Sequence, residues 1–261
     1  RERVVSRWND SSQRNFLYRA IVKSRVELER LTGGAAGVKR AVARPARSNL
    51  SWLAAVYGSD KGATAHRYVD LYERHLGERR HLVHKVLEIG VYRGASLQMW
   101  QDFFPRAEIY GVDISDVSVS GSRIHTIRGD QSDPALLEAV RAVGPFDLVI
   151  DDGSHRAGDL ITTFDGLFDS VRPGGFYVVE DMQTAYLESY GGGRPGQPGT
   201  STELVKQLVD AVNGEYLGAA FPDLASGVPA VAALHVYPKI AFVERGPNRS
   251  NGGETPSESR R

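Results

Sequence analysis

The chain has 261 residues, 41% of them hydrophobic and 25% charged, and its 32 basic residues balance its 32 acidic residues. These are ordinary values for a globular protein, and the length allows one large domain, or a domain with an appendage, to bury a substantial core. The sequence contains no cysteine, which excludes disulfide bonds, thiolate metal sites and a cysteine nucleophile.

The first fifty residues are strongly basic, with twelve Arg or Lys against four Asp or Glu, a net charge of +8. Such a segment can bind nucleic acid or an anionic membrane, but it is more often a solvated helix or an arm packed on an acidic neighbour. Apolar residues at helical spacing predict a helix over residues 14–31. We therefore interpret residues 1–49 as a basic helical N-terminal arm.

The membrane signals are weak throughout the chain. No stretch reaches the length of a membrane span, and the N-terminus is charged rather than signal-like. We therefore expect a soluble cytoplasmic protein.

From residue 50 the pattern alternates between short apolar strands and helices of 10 to 15 residues. The predicted strands are HKVLEIG, AEIYGVDI, SRIHTIRGD, PFDLVIDD and GGFYVVED, and the intervening helices are ASLQMWQDFF, DPALLEAVRAV and RAGDLITTFDGLFDSV. Asp133 is the expected N-cap of the second helix, with Pro134 at its first position. This alternation predicts an α/β fold with a doubly wound, mostly parallel sheet.

The C-terminal part of this main domain, which we place at residues 50–246, has a different pattern. YGGGRPGQPGT predicts a flexible loop, which follows the last parallel strand and could act as a lid. STELVKQLVDAVNGEYLG predicts a helix, and VAALHVYPKIAFVER predicts an antiparallel hairpin about a Tyr-Pro turn. Residues 247–261 are polar and are expected to be disordered.

The first strand leads into a glycine turn with the pattern E-x-G-x-x-x-G, formed by Glu88, Gly90 and Gly94 and including Tyr92. Gly90 permits a tight turn, and Gly94 lets a ligand approach the backbone at a helix N-terminus. The turn after this first strand does not have the dinucleotide pattern G-x-G-x-x-G. Asp113, at the end of the second strand, is placed to accept both ribose hydroxyls of a nucleoside.

A further segment is a candidate part of a nucleoside site. Asp130, Gln131 and Ser132 end the third strand, where their side chains could meet an adenine edge. Three polar strand ends in succession suggest an adenosine ligand, which both NAD and S-adenosylmethionine (SAM) contain.

Upstream, Lys61 lies in GSDKG, with His66 and Tyr68 nearby in the chain. These residues could form a flap over a bound ligand, either a group donor or a group acceptor. The alternative is that Asp60-Lys61-Gly62 is an ordinary turn.

Acidic residues follow the fourth and fifth strands. Asp152 and His155 lie in VIDDGSH, and Glu180 and Asp181 end FYVVEDM. Adjacent parallel strands would bring these acids together, which is costly unless a cation neutralises them or one stays protonated. Hard oxygen ligands suit Mg²⁺, and a histidine beside them is a credible general base. The alternative is N-capping acids and a solvent-facing histidine.

These motifs, with YGSDKG upstream and LHVYPKIAFVERG near the end, resemble the metal-dependent, SAM-dependent sugar O-methyltransferases over about residues 52–246. The resemblance is to the mycinamicin and demethylmacrocin deoxysugar enzymes and related rhamnosyl or mannosyl enzymes of actinobacteria. It implies a Rossmann-like class I methyltransferase fold, with SAM as donor and S-adenosylhomocysteine (SAH) as product. It also implies that Asp152, Glu180 and Asp181 hold Mg²⁺ and that His155 is the base.

The resemblance leaves several partners and alternatives open. Catechol-type enzymes have a lysine at the position of His155, so a catechol acceptor is disfavoured. A nucleic-acid methyltransferase using the basic arm, a nicotinamide oxidoreductase and a non-catalytic SAM-binding subunit are the competing hypotheses. We expect a sugar acceptor, no nucleic-acid partner and a homo-oligomer, and peripheral membrane contact through the arm stays open.

Overall fold

A computed structural model of the protein describes residues 36–62, 66–214, 216–217 and 229–247. The predicted helix over residues 14–31 lies outside these residues, as does the predicted tail over residues 247–261 except for residue 247. Within the described part of the chain, no helix is long and apolar enough to cross a membrane.

The chain divides into two compact units. The first contains residues 92–109, 118–125 and the described residues before 84, and the second contains residues 84–91, 110–117 and those after 125. The first unit holds helices α1 (Ala36–Ala43), α2 (Leu50–Tyr57), α3 (Val69–Leu76) and α4 (Ala95–Phe103). The predicted domain boundary at residue 50 therefore falls inside this unit.

Helix α2 of the first unit has clear start and stop signals. The Asn49 side chain accepts a hydrogen bond from the Trp52 amide at 2.7 Å, and Gly58 ends the helix in the left-handed region with φ 78°. In the core of this unit, Tyr72 and Trp100 pack edge to face with ring centroids 4.9 Å apart.

The sheet has the strand order β3-β2-β1-β4-β5-β7-β6. The pairs β1–β4 and β4–β5 are parallel, whereas β5–β7 and β6–β7 are antiparallel. This order confirms the predicted α/β sheet with a C-terminal antiparallel hairpin. The strand bounds are β1 Lys85–Ile89, β2 Glu108–Asp113, β3 Ile124–Arg128, β4 Phe146–Asp151, β5 Val171–Val179, β6 Val231–Tyr237 and β7 Ile240–Arg245.

Three helices of the second unit share an apolar core with one face of its strands. They are α5 (Pro134–Val143), α6 (Ala157–Leu167) and α7 (Ser201–Val212). Asp133 caps α5 by accepting a hydrogen bond from the Ala135 amide at 2.9 Å, which confirms the predicted start of that helix. The core contains Leu137 from α5, Phe164 from α6, Leu208 from α7 and Val149 and Tyr177 from the sheet.

Two elements differ from their predicted bounds. Strand β5 begins at Val171, which pairs with Phe146 across a shift in register, whereas the prediction began the strand three residues later. Helix α7 ends at Val212, because Asn213 leaves helical geometry with φ −95° and ψ 16°, and helical geometry is present again at residues 214 and 216–217. The predicted helix, which ran to residue 218, is therefore interrupted at Asn213. Residues 191–200 contain no helix or strand, as predicted.

The strand order of the sheet reverses between β1 and β4. Strands β2 and β3 lie on one side of β1, and β4 pairs with β1 on its other side. Ligands of open α/β sheets bind beyond the carboxyl ends of the strands at such a point. The turn after β1 begins at Gly90, and the turn after β4 begins at Asp152, whose amide donates to the Ile89 carbonyl at 2.9 Å.

Candidate functional site

Asp152, His155 and Asp181 form a cluster at the carboxyl ends of β4 and β5. Each residue offers one ligand atom, and these atoms lie within 4.8 Å of one another. The His155 Nε2 atom is 4.0 Å from a carboxylate oxygen of Asp152 and 3.8 Å from one of Asp181. We call these three residues the acid–histidine cluster.

Two members of the cluster have an unusual backbone conformation. His155 and Asp181 have φ values of 58° and 52°, in the left-handed region. Side-chain-bearing residues occupy this region at a cost of about 1–2 kcal/mol each, and such residues concentrate at functional sites. The turns after β4 and β5 therefore hold the two side chains in place against a local preference for other conformations.

The donor set fits a hard divalent cation. The side chains of Asp152 and Asp181 are 19% and 16% exposed, so both carboxylates are partly withdrawn from water while remaining reachable. Two like charges this close favour a cation between them, and carboxylate oxygens are the ligands that Mg²⁺ prefers. The set of two carboxylates and one imidazole, in a chain without cysteine, is less suited to a structural zinc site.

Glu180, the third predicted metal ligand, precedes Asp181 but is not one of the three clustered residues. Its side chain is only 2% exposed, and its amide donates to the Asp151 carbonyl at 3.0 Å. The structure thus places Glu180 next to the cluster along the chain, in a more buried position than the two other acids.

A buried polar network lies at the end of β4, and the sequence patterns did not identify it. The Asp151 carboxyl is 3% exposed and accepts hydrogen bonds from the Tyr177 hydroxyl at 2.9 Å and the Gln131 amide at 3.3 Å. Burial raises the pKa of Asp151 to about 7, although these hydrogen bonds act in the opposite direction. Of the two adjacent acids in VIDDGSH, Asp151 therefore faces the interior, and Asp152 belongs to the acid–histidine cluster.

Gln131 belongs to this network. Its amide nitrogen also donates to the Thr163 hydroxyl at 3.1 Å, and its amide oxygen accepts from the Ser154 amide at 2.7 Å. A Cβ atom on Gly153 would lie 2.0 Å from the same oxygen. The Gln131 side chain, which we predicted to face an adenine edge, is thus engaged with the turn that carries Asp152 and His155.

The glycine turn after β1 packs on that same turn. Gly90 has φ 88°, and a Cβ atom there would lie 2.0 Å from the Asp152 carbonyl oxygen. Both its conformation and this close approach require glycine. Glu88, another predicted cofactor residue, is fully buried within β1.

The acids after β2 and β3 organise their own turns. The Asp113 carboxylate accepts hydrogen bonds from the Val91 amide at 2.9 Å and the Ser115 amide at 2.8 Å. Asp130 accepts from the amide and the hydroxyl of Ser132, and these two bonds lower the pKa of Asp130. The structure therefore shows how both carboxylates are oriented, at the strand ends where the sequence placed them.

The remaining predicted cofactor residues belong to the first unit. Lys61 is 1% exposed and lies in a turn, where its amide donates to the Ser59 hydroxyl at 3.3 Å. Tyr92 is 75% exposed with φ 52°, and the Arg93 guanidinium lies 5.1 Å from its ring centroid. Gly94 has φ 75°, and a Cβ atom there would meet the Val119 side chain at 2.2 Å.

The segment after Asp181 also approaches the cluster, which sequence reasoning had not indicated. Two short 3₁₀ helices, Met182–Tyr186 and Glu188–Tyr190, precede the glycine-rich loop. The Thr184 hydroxyl contacts the backbone of the cluster, and the half-buried Tyr190 ring lies 6.5 Å from the His155 ring between centroids. In the sequence, only the position of Thr184 and Tyr190 shortly after Asp181 indicated that they could lie near the cluster.

Comparisons with known proteins identify the type of domain. A family model described as a methyltransferase domain matches residues 87–182. The chain is 44% identical to the mycinamicin VI 2''-O-methyltransferase of Micromonospora griseorubida, over 79% of this chain and 55% of that enzyme. It is 42% identical to the demethylmacrocin O-methyltransferase of Streptomyces fradiae, over 79% of this chain and 55% of that enzyme.

A solved structure gives the corresponding match in three dimensions. It is described as the MycE methyltransferase from the mycinamycin biosynthetic pathway in complex with Mg, SAH and mycinamycin VI. The TM-score is 0.70 at 44% identity, with 79% of this chain and 57% of that chain covered. The match confirms the Rossmann-like class I methyltransferase fold and the resemblance to sugar O-methyltransferases. The chain spans about half the length of the relatives that it matches.

Proposed function

Since the chain carries a class I methyltransferase domain and is related in sequence to sugar O-methyltransferases, we propose that it transfers a methyl group from SAM to a sugar hydroxyl, with Mg²⁺ as cofactor. The observation that carries this proposal is the acid–histidine cluster: two half-buried carboxylates and an imidazole with ligand atoms within 4.8 Å of one another. The cluster lies at strand ends beside the point where the strand order reverses.

The proposed Mg²⁺ site and the proposed SAM site use different residues. Asp152 and Asp181, with the adjacent Glu180, are the proposed Mg²⁺ ligands. When bound, Mg²⁺ supplies positive charge that orients neighbouring sugar hydroxyls and makes them more acidic. The proposed SAM site comprises the strand-end and turn residues Glu88, Gly90, Tyr92, Gly94, Asp113, Asp130, Gln131, Ser132 and Lys61. Of these, Asp113 has its carboxylate fixed by two backbone amides, which favours a role in holding ribose hydroxyls.

His155 is the proposed general base. In the transfer, the acceptor oxygen bonds to the methyl carbon as the carbon–sulfur bond breaks, and SAH leaves with the electron pair. The hydroxyl proton passes to the His155 Nε2 atom, which faces the two acids at 3.8 and 4.0 Å. A carboxylate beside the ring stabilises the imidazolium that forms.

The relatives support a small-molecule acceptor. They include enzymes named for mycinamicin VI and for a rhamnosyl tetracenomycin, both glycosylated small molecules. This supports sugar methylation over a nucleic-acid substrate and over a non-catalytic subunit. Residues 50–246 are the proposed catalytic domain. A homo-oligomer, a cytoplasmic location and a peripheral membrane role of the basic arm stay predictions.

The test is transfer of labelled methyl from SAM to mycinamicin VI and to 8-demethyl-8-rhamnosyl tetracenomycin C, with Mg²⁺ and with a chelator. We expect Mg²⁺-dependent methylation of at least one sugar, lowered about 100-fold or more in His155→Ala. His125→Ala is the matched control, because His125 is exposed and pairs with Glu108 on the sheet edge. Full activity of the His155 variant would remove the base assignment.

A further inference from the structure

The Thr184 hydroxyl lies within hydrogen-bond distance of both left-handed residues of the cluster. Its Oγ1 atom is 2.8 Å from the Asp181 carbonyl oxygen and 3.2 Å from the His155 carbonyl oxygen. Because a hydroxyl has one proton, the two carbonyls share it in a three-centre bond, and the side chain is 8% exposed, so water does not compete freely for this bond. One buried hydroxyl therefore bridges the turn after β4 and the turn after β5.

The two carbonyl acceptors belong to His155 and Asp181, the two cluster residues in the left-handed region. His155 and Asp181 are the members of the cluster with positive φ, and each would gain from contacts that fix its peptide plane. The Thr184 amide also donates to the Asp181 carbonyl, at 3.0 Å. Thr184 thus couples the backbone of the proposed base to the backbone of a proposed metal ligand.

The segment that carries Thr184 is itself anchored at both ends. The Met182 amide donates to the Lys239 carbonyl at 2.9 Å, in the turn of the C-terminal hairpin. The Gly193 amide donates to the Ala185 carbonyl at 2.8 Å, and a Cβ atom on Gly192 would lie 2.5 Å from that carbonyl oxygen. Because these contacts fix the residues on both sides of Thr184, its hydroxyl can hold the His155 and Asp181 carbonyls in one position.

We propose that Thr184 is a positioning residue of the active site, which sets the distance between the His155 imidazole and the metal-binding carboxylates through its bridging hydroxyl. This inference rests on the proposed function, because the position matters only if the cluster binds a cation and His155 accepts a proton. Partners that orient metal ligands typically change metal affinity about 10- to 100-fold when they are removed.

The test compares valine and serine at this position. Thr184→Val keeps the branched shape and removes the hydroxyl, whereas Thr184→Ser keeps the hydroxyl and removes a methyl group. Thr162→Val is the matched control, because the Thr162 hydroxyl bonds to a backbone carbonyl, that of Gly158 at 2.9 Å, on the exposed side of α6. Each variant is titrated with Mn²⁺, with free Mn²⁺ measured by electron paramagnetic resonance, and separately with SAM.

We expect Thr184→Val to weaken Mn²⁺ binding about tenfold and to leave SAM affinity unchanged, with serine within about twofold of wild type. In the methylation assay, kcat should fall while the acceptor KM stays constant. Mn²⁺ affinity equal to wild type in the valine variant would overturn the inference alone. No Mn²⁺ binding by the wild-type protein would overturn the proposed function as well. If valine prevents folding, Thr184→Ala against Thr184→Ser repeats the comparison, and equal Mn²⁺ affinities there refute the role of the hydroxyl.

Discussion

Replacing Asp151 by asparagine should flatten the pH dependence of stability in the metal-free protein. Burial raises the pKa of the Asp151 carboxyl from 3.8 to about 7. Between these two values the folded protein keeps Asp151 protonated, whereas the unfolded chain has released the proton. The folded state therefore binds one more proton, and its stability falls as the pH rises through this window.

The size of the effect follows from the same shift. A difference of about three pKa units corresponds to about 4 kcal/mol between the low-pH and high-pH limits. Asparagine carries no charge to bury, and its amide can accept from Gln131 and donate to the Tyr177 hydroxyl, which can act as an acceptor. The stability of the variant relative to wild type should therefore increase by about 3–4 kcal/mol from pH 4 to pH 8.

Urea denaturation with a chelator present, followed by tryptophan fluorescence at a series of pH values, measures this difference directly. Asp152→Asn is the control, because that neighbouring side chain is 19% exposed and contributes last among the causes of the Asp151 shift. The control variant should keep most of the wild-type dependence of the unfolding free energy on pH. A stability difference between Asp151→Asn and wild type that stays constant within about 1 kcal/mol would refute the assignment of Asp151 as a buried protonated acid.

Two further predictions concern the first unit and the glycine turn. Tyr57→Phe should lower the free energy of unfolding by about 1.5–3 kcal/mol, because it removes the buried hydroxyl that donates to the Asp102 carboxylate. Urea denaturation of Tyr57→Phe, Asp102→Asn and the double variant checks this, and strictly additive losses would contradict a direct bond. Gly90→Ala should destabilise the protein by about 2–4 kcal/mol and weaken Mg²⁺ binding, since the new Cβ atom meets the Asp152 carbonyl oxygen at φ 88°. Urea denaturation measures the stability of Gly90→Ala, and a calorimetric titration measures its Mg²⁺ affinity. Gly158→Ala, where nothing lies within 4 Å of the new Cβ atom, is the control and should be neutral or stabilising. Equal losses of stability in both variants would show that the close approach at Gly90 is unimportant.

The order of elements was predictable from the sequence because each strand and helix has its own local signal. The N-cap at Asp133 and the Tyr-Pro turn before β7 are examples, and both elements lie where they were expected. The early start of β5 was not predictable, since Val171 joins the strand through pairing with Phe146, a contact 25 positions away in the chain. Local patterns contain no information about such pairing.

The site was predictable only to the level of its strand ends. Sequence reasoning placed Asp152, His155 and Asp181 together because the carboxyl ends of neighbouring parallel strands meet. It could not show which way Gln131 points, or that Asp151 is the buried member of its pair, because both depend on side-chain packing. The left-handed conformation of His155 and the Thr184 bridge likewise arise from tertiary contacts.

The most direct test of the account is a calorimetric titration of the metal-stripped protein with SAM, with NADH and with Mg²⁺, in wild type and in Asp152→Asn. The account predicts saturable binding of SAM, no binding of NADH, and a separate Mg²⁺ heat that disappears in the variant while SAM binding persists. Binding of NADH, or a failure to bind SAM, would contradict the assignment of the glycine turn and of the methyltransferase reaction. An unchanged Mg²⁺ heat in Asp152→Asn would contradict the metal site.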